Sequence, residues 1–97
     1  MKPAKYHPLA ESELIASALF YEKRNSGLGE RFLKAVKSTE AAILRQPRWG
    51  HPWEAGTRKW RVKNFPFALI YKEFPDRITI FAAAHFSRKP DYWLNRL

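Results

Sequence analysis

The segment FPFALIYKEFPDRITIFAAAHF, residues 65–86, decides how the rest of the chain is read. Phe67 to Phe74 is apolar on both faces except near its end, the pattern of a strand covered on both sides. Pro75-Asp76 then makes a tight turn, since proline presets one backbone angle and aspartate bonds its own backbone. Arg77 to Phe86 follows as a second apolar strand. Two such runs joined this closely predict the inner pair of an antiparallel meander.

Upstream, Thr57 to Asn64 sets Lys59, Arg61 and Lys63 against Arg58, Trp60 and Val62 at a period of two. A third strand is expected there, with one mostly cationic side and a side that offers Trp60 and Val62 to the interior. Residues 47–56, PRWGHPWEAG, hold prolines and glycines without periodicity and predict a surface loop. Downstream, residues 90–97 can form one helical turn that folds Tyr92 and Trp93 onto the sheet.

The first half reads as helices. Pro3 to His7 predicts a short strand, and Pro8 suits a first helical turn, where its missing N–H has no partner to lose. From Pro8 to Arg24 the residues Leu14, Ile15, Ala18, Leu19 and Tyr21 recur at spacings of three and four, with acid early and base late. Asn25 to Gly29 makes a turn with two glycines. Phe32, Val36, Thr39 and Ile43 then mark a second helix, ended by Gln46-Pro47. The short link predicts an antiparallel helical hairpin whose apolar stripe covers the sheet. The whole is a single α+β domain over residues 1–97, in the order β-α-α-β-β-β.

Charge narrows the partner. Residues 1–46 carry eight basic and five acidic side chains, residues 47–97 ten and four, so most of the net +9 lies in the second half. Such a balance suits a polyanion or an acidic protein. The absence of cysteine excludes disulfides and a thiol nucleophile and is compatible with a reducing cytosol. The start of the chain lacks the apolar core of a signal peptide, and Ile80 to Ala84 is far too short to span a bilayer. A cytoplasmic protein without membrane contact is the expectation.

This order of elements carries further local signatures. His7-Pro8-Xaa-Ala10-Glu11 opens the first helix, Tyr21-Glu22 stands near its end, and Gly27-Leu28-Gly29-Xaa-Arg31-Phe32 opens the second. Arg61, Phe65-Pro66-Phe67-Ala68-Leu69-Ile70-Tyr71 and Ala84-His85-Xaa-Xaa-Arg88-Xaa-Pro90-Xaa-Xaa-Trp93 follow. Together, over nearly the whole chain, they resemble the RelE/ParE superfamily of bacterial toxins from type II toxin-antitoxin modules. The last two pieces are similar to ParE-labelled, plasmid-stabilisation-type sequences. The resemblance implies a toxin neutralised by a small acidic or partly disordered antitoxin. It also implies one of two targets: DNA gyrase for ParE-like members, or mRNA in the ribosomal A site for RelE-like ones. The antitoxin is expected along the hairpin and over the cationic strand.

A metal-free ribonuclease needs a general base, a general acid and fixed cations around the phosphate. The candidates are His85, Arg61, Arg88 and Tyr92, with Tyr71 nearby if the last two strands pair. His85 would move the proton and the arginines would clamp phosphate. Alternatively, His85 is a partly buried histidine bonded to the tail, Arg61 is a solvated strand residue and Tyr71 belongs to the core. A gyrase-binding toxin needs only a surface, for which Lys59, Arg61, Lys63, Arg88 and Lys89 are the candidates. Base stacking on Trp49, Trp53 or Trp60 is weighed against core and loop roles for the same rings. A plain nucleic-acid module ranks last, for want of any recognised motif. No cofactor is expected, and no metal either, because His7, His51 and His85 are dispersed and no carboxylate pair has ligand spacing.

Overall fold

A computed structural model describes residues 1–97. The chain forms β1 (Ala4–Tyr6), α1 (Pro8–Arg24), α2 (Leu28–Arg45), β2 (His51–Pro52), β3 (Arg58–Arg61), β4 (Phe67–Glu73) and β5 (Ile78–His85). Single 3-10 turns span Glu54–Gly56 and Leu94–Arg96. The five strands make one mixed sheet in the order β1-β5-β4-β3-β2, with the helical hairpin packed on one face.

The meander β3-β4-β5 is antiparallel, as its patterning predicts. Two features go beyond that expectation. β1 pairs with the last strand, β5, and runs parallel to it. The loop 47–56 also supplies the two-residue edge strand β2, pairing His51 with Lys59 and Pro52 with Arg58. A strand of two residues leaves no period to detect.

Local chemistry sets the hairpin. His7 caps α1, its Nδ1 accepting from Leu9 N–H, and Pro8 takes the first helical position. Glu22 ties the two helices together, its carboxylate accepting from Gly27 N–H at 2.9 Å and Gly29 N–H at 3.0 Å. A Cβ on Gly29 would fall 2.5 Å from the Ala18 carbonyl oxygen, so only glycine permits this approach. Gly27 has φ +86°, which glycine adopts without strain.

The main core lies between hairpin and sheet, where Phe32, Val36 and Ile43 of α2 meet Leu69, Tyr71, Ile78 and Ile80. Phe32 packs 4.9 Å from Phe67 and 5.2 Å from Tyr21, ring centre to ring centre. The α1 stripe differs from its expectation. Ala10 and Ala18 are buried and Leu14 half-buried, but Ile15 and Leu19 face solvent. Small residues bring α1 so close to α2 that its buried stripe is narrow, and neighbours about 100° further round point outward.

The outer face of the sheet holds a smaller core of Ile70, Ala82 and Trp93. Trp93 is 1% exposed and its indole N–H donates to Pro90 O at 2.9 Å, so the tail does fold onto the sheet. A bulge separates the two faces of β5. Tyr71 pairs with Ile80 and Ile70 with Ala82, which leaves Phe81 unpaired and reverses the alternation. Ala83 and His85 therefore follow Ile78 and Ile80 on the helix side, and Ala82 and Ala84 take the outer side.

Past Tyr6 no strand covers the β1 edge of β5. Two side chains do so instead. Glu13 of α1 accepts from Ala83 N–H, and Arg96 of the tail donates to Phe81 O. The two also form a bidentate pair at 2.8 and 3.0 Å, with side chains 16% and 8% exposed.

A second pair sits at the far end of the sheet, where Lys2 Nζ lies 2.8 Å from Glu73 Oε2 and Arg48 approaches the other oxygen. The Lys2 hydrogen bond, against the opposing effect of burial, holds the Glu73 carboxyl below the usual carboxylate range. A folded pKa below the unfolded one stabilises the protein above the ordinary value of about 4.3, and that stability is lost as pH falls through the folded value. Urea midpoints measured from pH 6 to pH 3 are expected to fall more steeply for the native chain than for Glu73→Gln. Parallel curves would remove the pair from the account.

Candidate functional site: a cationic groove on the outer sheet face

The alternation of β3 places Trp60 towards the core and Lys59 and Arg61 on the face away from the helices. There they flank Ala68 and Ile70 of β4 and Ala84 of β5, and the two alanines leave a depression beside Ile70. The tail crosses the far side of it, contributing Arg88, Lys89, Pro90 and Trp93, while Trp53 from the 47–56 loop closes another side. The result is a groove of about 530 Å³ with an apolar floor and four cations on its walls. None of Lys59, Arg61, Arg88 and Lys89 forms a salt bridge.

Aromatic rings accompany three of these cations. Lys59 Nζ lies 3.5 Å from the Trp53 ring centre, Arg88 Cζ 3.9 Å from that of Tyr92, and Arg61 Cζ 5.2 Å from that of Phe86. Trp53, half-buried, is thus covered by Lys59, while Trp49 stands 73% exposed.

His85 occupies the rim. Its strand face belongs to the helix side, where its ring meets Phe67 edge-on at 5.0 Å, and it borders both the groove and a smaller hollow against α1. Ser87 N–H donates to His85 Nδ1 at 3.0 Å, with Ser87 Oγ 2.7 Å from the same atom. An amide can only donate, so the proton of the neutral ring sits on Nε2. The histidine is half-buried and bonded to the tail.

The other candidates are placed elsewhere. Lys63 lies past the end of β3, in a shallow depression shared with Asn64, Phe65 and Phe86. The Tyr92 ring packs under Arg88 outside the groove lining, and its hydroxyl is buried without a hydrogen-bond partner. Burial, reinforced by the nearby Glu13 carboxylate, pushes that phenol well above its ordinary range, so it holds its proton. Tyr71 does not approach His85. It pairs with Ile80 whereas His85 pairs with Phe67, about 13 Å further along the strands. Its fully buried hydroxyl donates to Pro47 O at 2.8 Å and accepts from Gly50 N–H at 3.1 Å, anchoring the 47–50 loop.

The structure thus brings Lys59, Arg61, Arg88 and Lys89 together around one groove, sets His85 at its rim, and leaves Lys63 and Tyr92 outside it. Sequence reading missed Glu13 and Arg96, which hold the tail that forms one groove wall. They stand 83 residues apart and carry no local signal. Chemically, the groove offers fixed positive charge over an apolar floor. No group of three or more acidic or histidine side chains gathers as a metal site would require. No helix is long and apolar enough to cross a membrane.

No protein-family profile matches the chain, and no curated protein does. Among solved structures, a chain from the chromosomal ParDE TA system of P. aeruginosa superposes with a TM-score of 0.66 at 23% identity. The match covers 88% of this chain and 96% of that one. The likeness is one of fold: a strand, a helical hairpin and a meander in the same α+β arrangement.

Proposed function

We propose that this chain is the toxin of a type II toxin-antitoxin module. It inhibits bacterial growth by binding DNA gyrase, and a cognate antitoxin, acidic or partly disordered, neutralises it. The observation that carries this reading is the chemistry of the groove. Four cations without acidic partners converge on it, and its one imidazole is that of the rim histidine, whose Nδ1 is occupied by Ser87. Holding an acidic surface needs fixed charge alone, whereas cutting RNA needs a base and an acid as well. The fold shared with a ParDE chain supports the toxin-antitoxin assignment. The outward residues Leu9, Ile15, Leu19, Phe20 and Leu33 of the hairpin offer an antitoxin a second surface, on which a disordered segment can fold as it binds.

One observation favours a second reading, a ribosome-dependent mRNA endonuclease. His85 borders the same groove as Arg61 and Arg88, so a phosphate held by the arginines would meet its imidazole. Two assays separate the readings. In a supercoiling assay the purified protein is expected to inhibit gyrase. In a purified translation system, primer extension on a reporter mRNA is expected to find it intact. Codon-positioned cuts that vanish in His85→Ala would replace the first reading by the second.

A further inference from the structure

Long cationic side chains lose rotamer freedom when they grip a ligand, and that loss opposes binding. Proteins often hold such a chain with a carboxylate, which also cancels its charge. In this groove the partners of Lys59, Arg61 and Arg88 are instead the rings of Trp53, Phe86 and Tyr92. An aromatic face attracts a cation through its quadrupole and leaves the net charge intact.

The same contacts narrow the ligand. Nucleic acids use exposed aromatic faces to stack bases, but the Trp53 face in the groove already carries Lys59. A phosphate backbone would also leave the floor of Ala68, Ile70 and Ala84 unfilled. A peptide with an apolar side chain between carboxylates fills that floor and meets the cations at once. A second copy of this chain is a poor donor, since it carries a net +9 itself and would bring like charge to the groove.

The geometry points to a binding site for an acidic segment of a partner protein bearing one apolar anchor. In it Trp53, Phe86 and Tyr92 are positioning residues that act through Lys59, Arg61 and Arg88. This rests on the reading of the groove as the surface that meets the partner.

The probe is a fluorescein-labelled eight-residue peptide with leucine flanked by aspartate and glutamate, compared by anisotropy with an oligonucleotide of eight thymidines. The peptide is expected to bind more tightly than the oligonucleotide, and more tightly than its Leu→Ser version. Trp53→Leu and Phe86→Leu leave the charge unchanged and are each expected to weaken peptide binding about two- to fivefold. In a Lys59→Gln background, Trp53→Leu should then cost nothing more, because a seat without its cation has no role. Phe86, half-exposed, serves if the Trp53 variant fails to fold.

Native affinity in both ring variants, or costs of Trp53→Leu and Lys59→Gln that simply add, would overturn the seating role. Tighter binding of the oligonucleotide, or equal binding of the Leu→Ser peptide, would overturn the ligand class. If Lys59→Gln and Arg61→Gln themselves bind like the native protein, the groove reading falls instead, an outcome distinct from failure of the ring variants alone.

Discussion

On the proposed gyrase-binding reading, replacing Arg61 and Arg88 together by glutamine is expected to weaken inhibition of supercoiling by about a hundredfold or more. Each guanidinium stands on the groove wall without an acidic partner, so its hydrogen bonds are free for the target. A bond to a charged group contributes about 1.5–3 kcal/mol, and two such losses exceed the roughly 2.7 kcal/mol that a hundredfold change requires. The measurement is the inhibitor concentration that halves supercoiling. Lys5→Gln with Lys34→Gln removes equal charge from exposed positions away from the groove and is expected to change it little. Equal loss in that control would mean that net charge, and not the groove, governs binding.

The largest expected effect on stability is at Glu13. Its carboxylate satisfies Ala83 N–H and forms the bidentate pair with Arg96, which in turn donates to Phe81 O. Glu13→Ala leaves a mostly buried guanidinium unpaired and is expected to cost about 3–5 kcal/mol. For a domain of this size that lowers the melting temperature by about 12 °C or more. Pairing Glu13→Leu with Arg96→Met should recover part of the loss. Recovery stays incomplete because Ala83 N–H and Phe81 O lose their partners. A melting curve for Glu13→Ala within a degree or two of the native one would show that the tail is held by Trp93 alone.

The sequence shows the elements where periodicity is long or punctuation strong. Pro8, Gln46-Pro47 and Pro75-Asp76 bound the helices and the β4-β5 hairpin as read, while the turn read over Asn25–Gly29 is shorter, Gly27 being the cap and Leu28 and Gly29 already belonging to α2. Lys59 and Arg61 were legible on one strand face because β3 keeps its period of two. The outward-facing Ile15 and Leu19 were misread because a helical stripe shows that a face is apolar, not how wide a neighbour covers it. The edge strand β2 is too short to carry a period.

Local pattern in the chain is therefore enough for the α+β class, the main elements, and a cationic strand followed by a basic tail. Backbone preferences and side-chain periods are local, and they act wherever the residues stand. Which of those charges meet depends on how the sheet and the tail come together in three dimensions. The bulge at Phe81 turns His85 towards the helices and leaves Ala84 to line the groove floor, though an unbroken alternation from Ile80 would do the reverse. The Glu13–Arg96 pair, closed over 83 residues, sets the tail as one groove wall. Both depend on register and on contacts between distant segments, and neither leaves a mark in a short window of sequence.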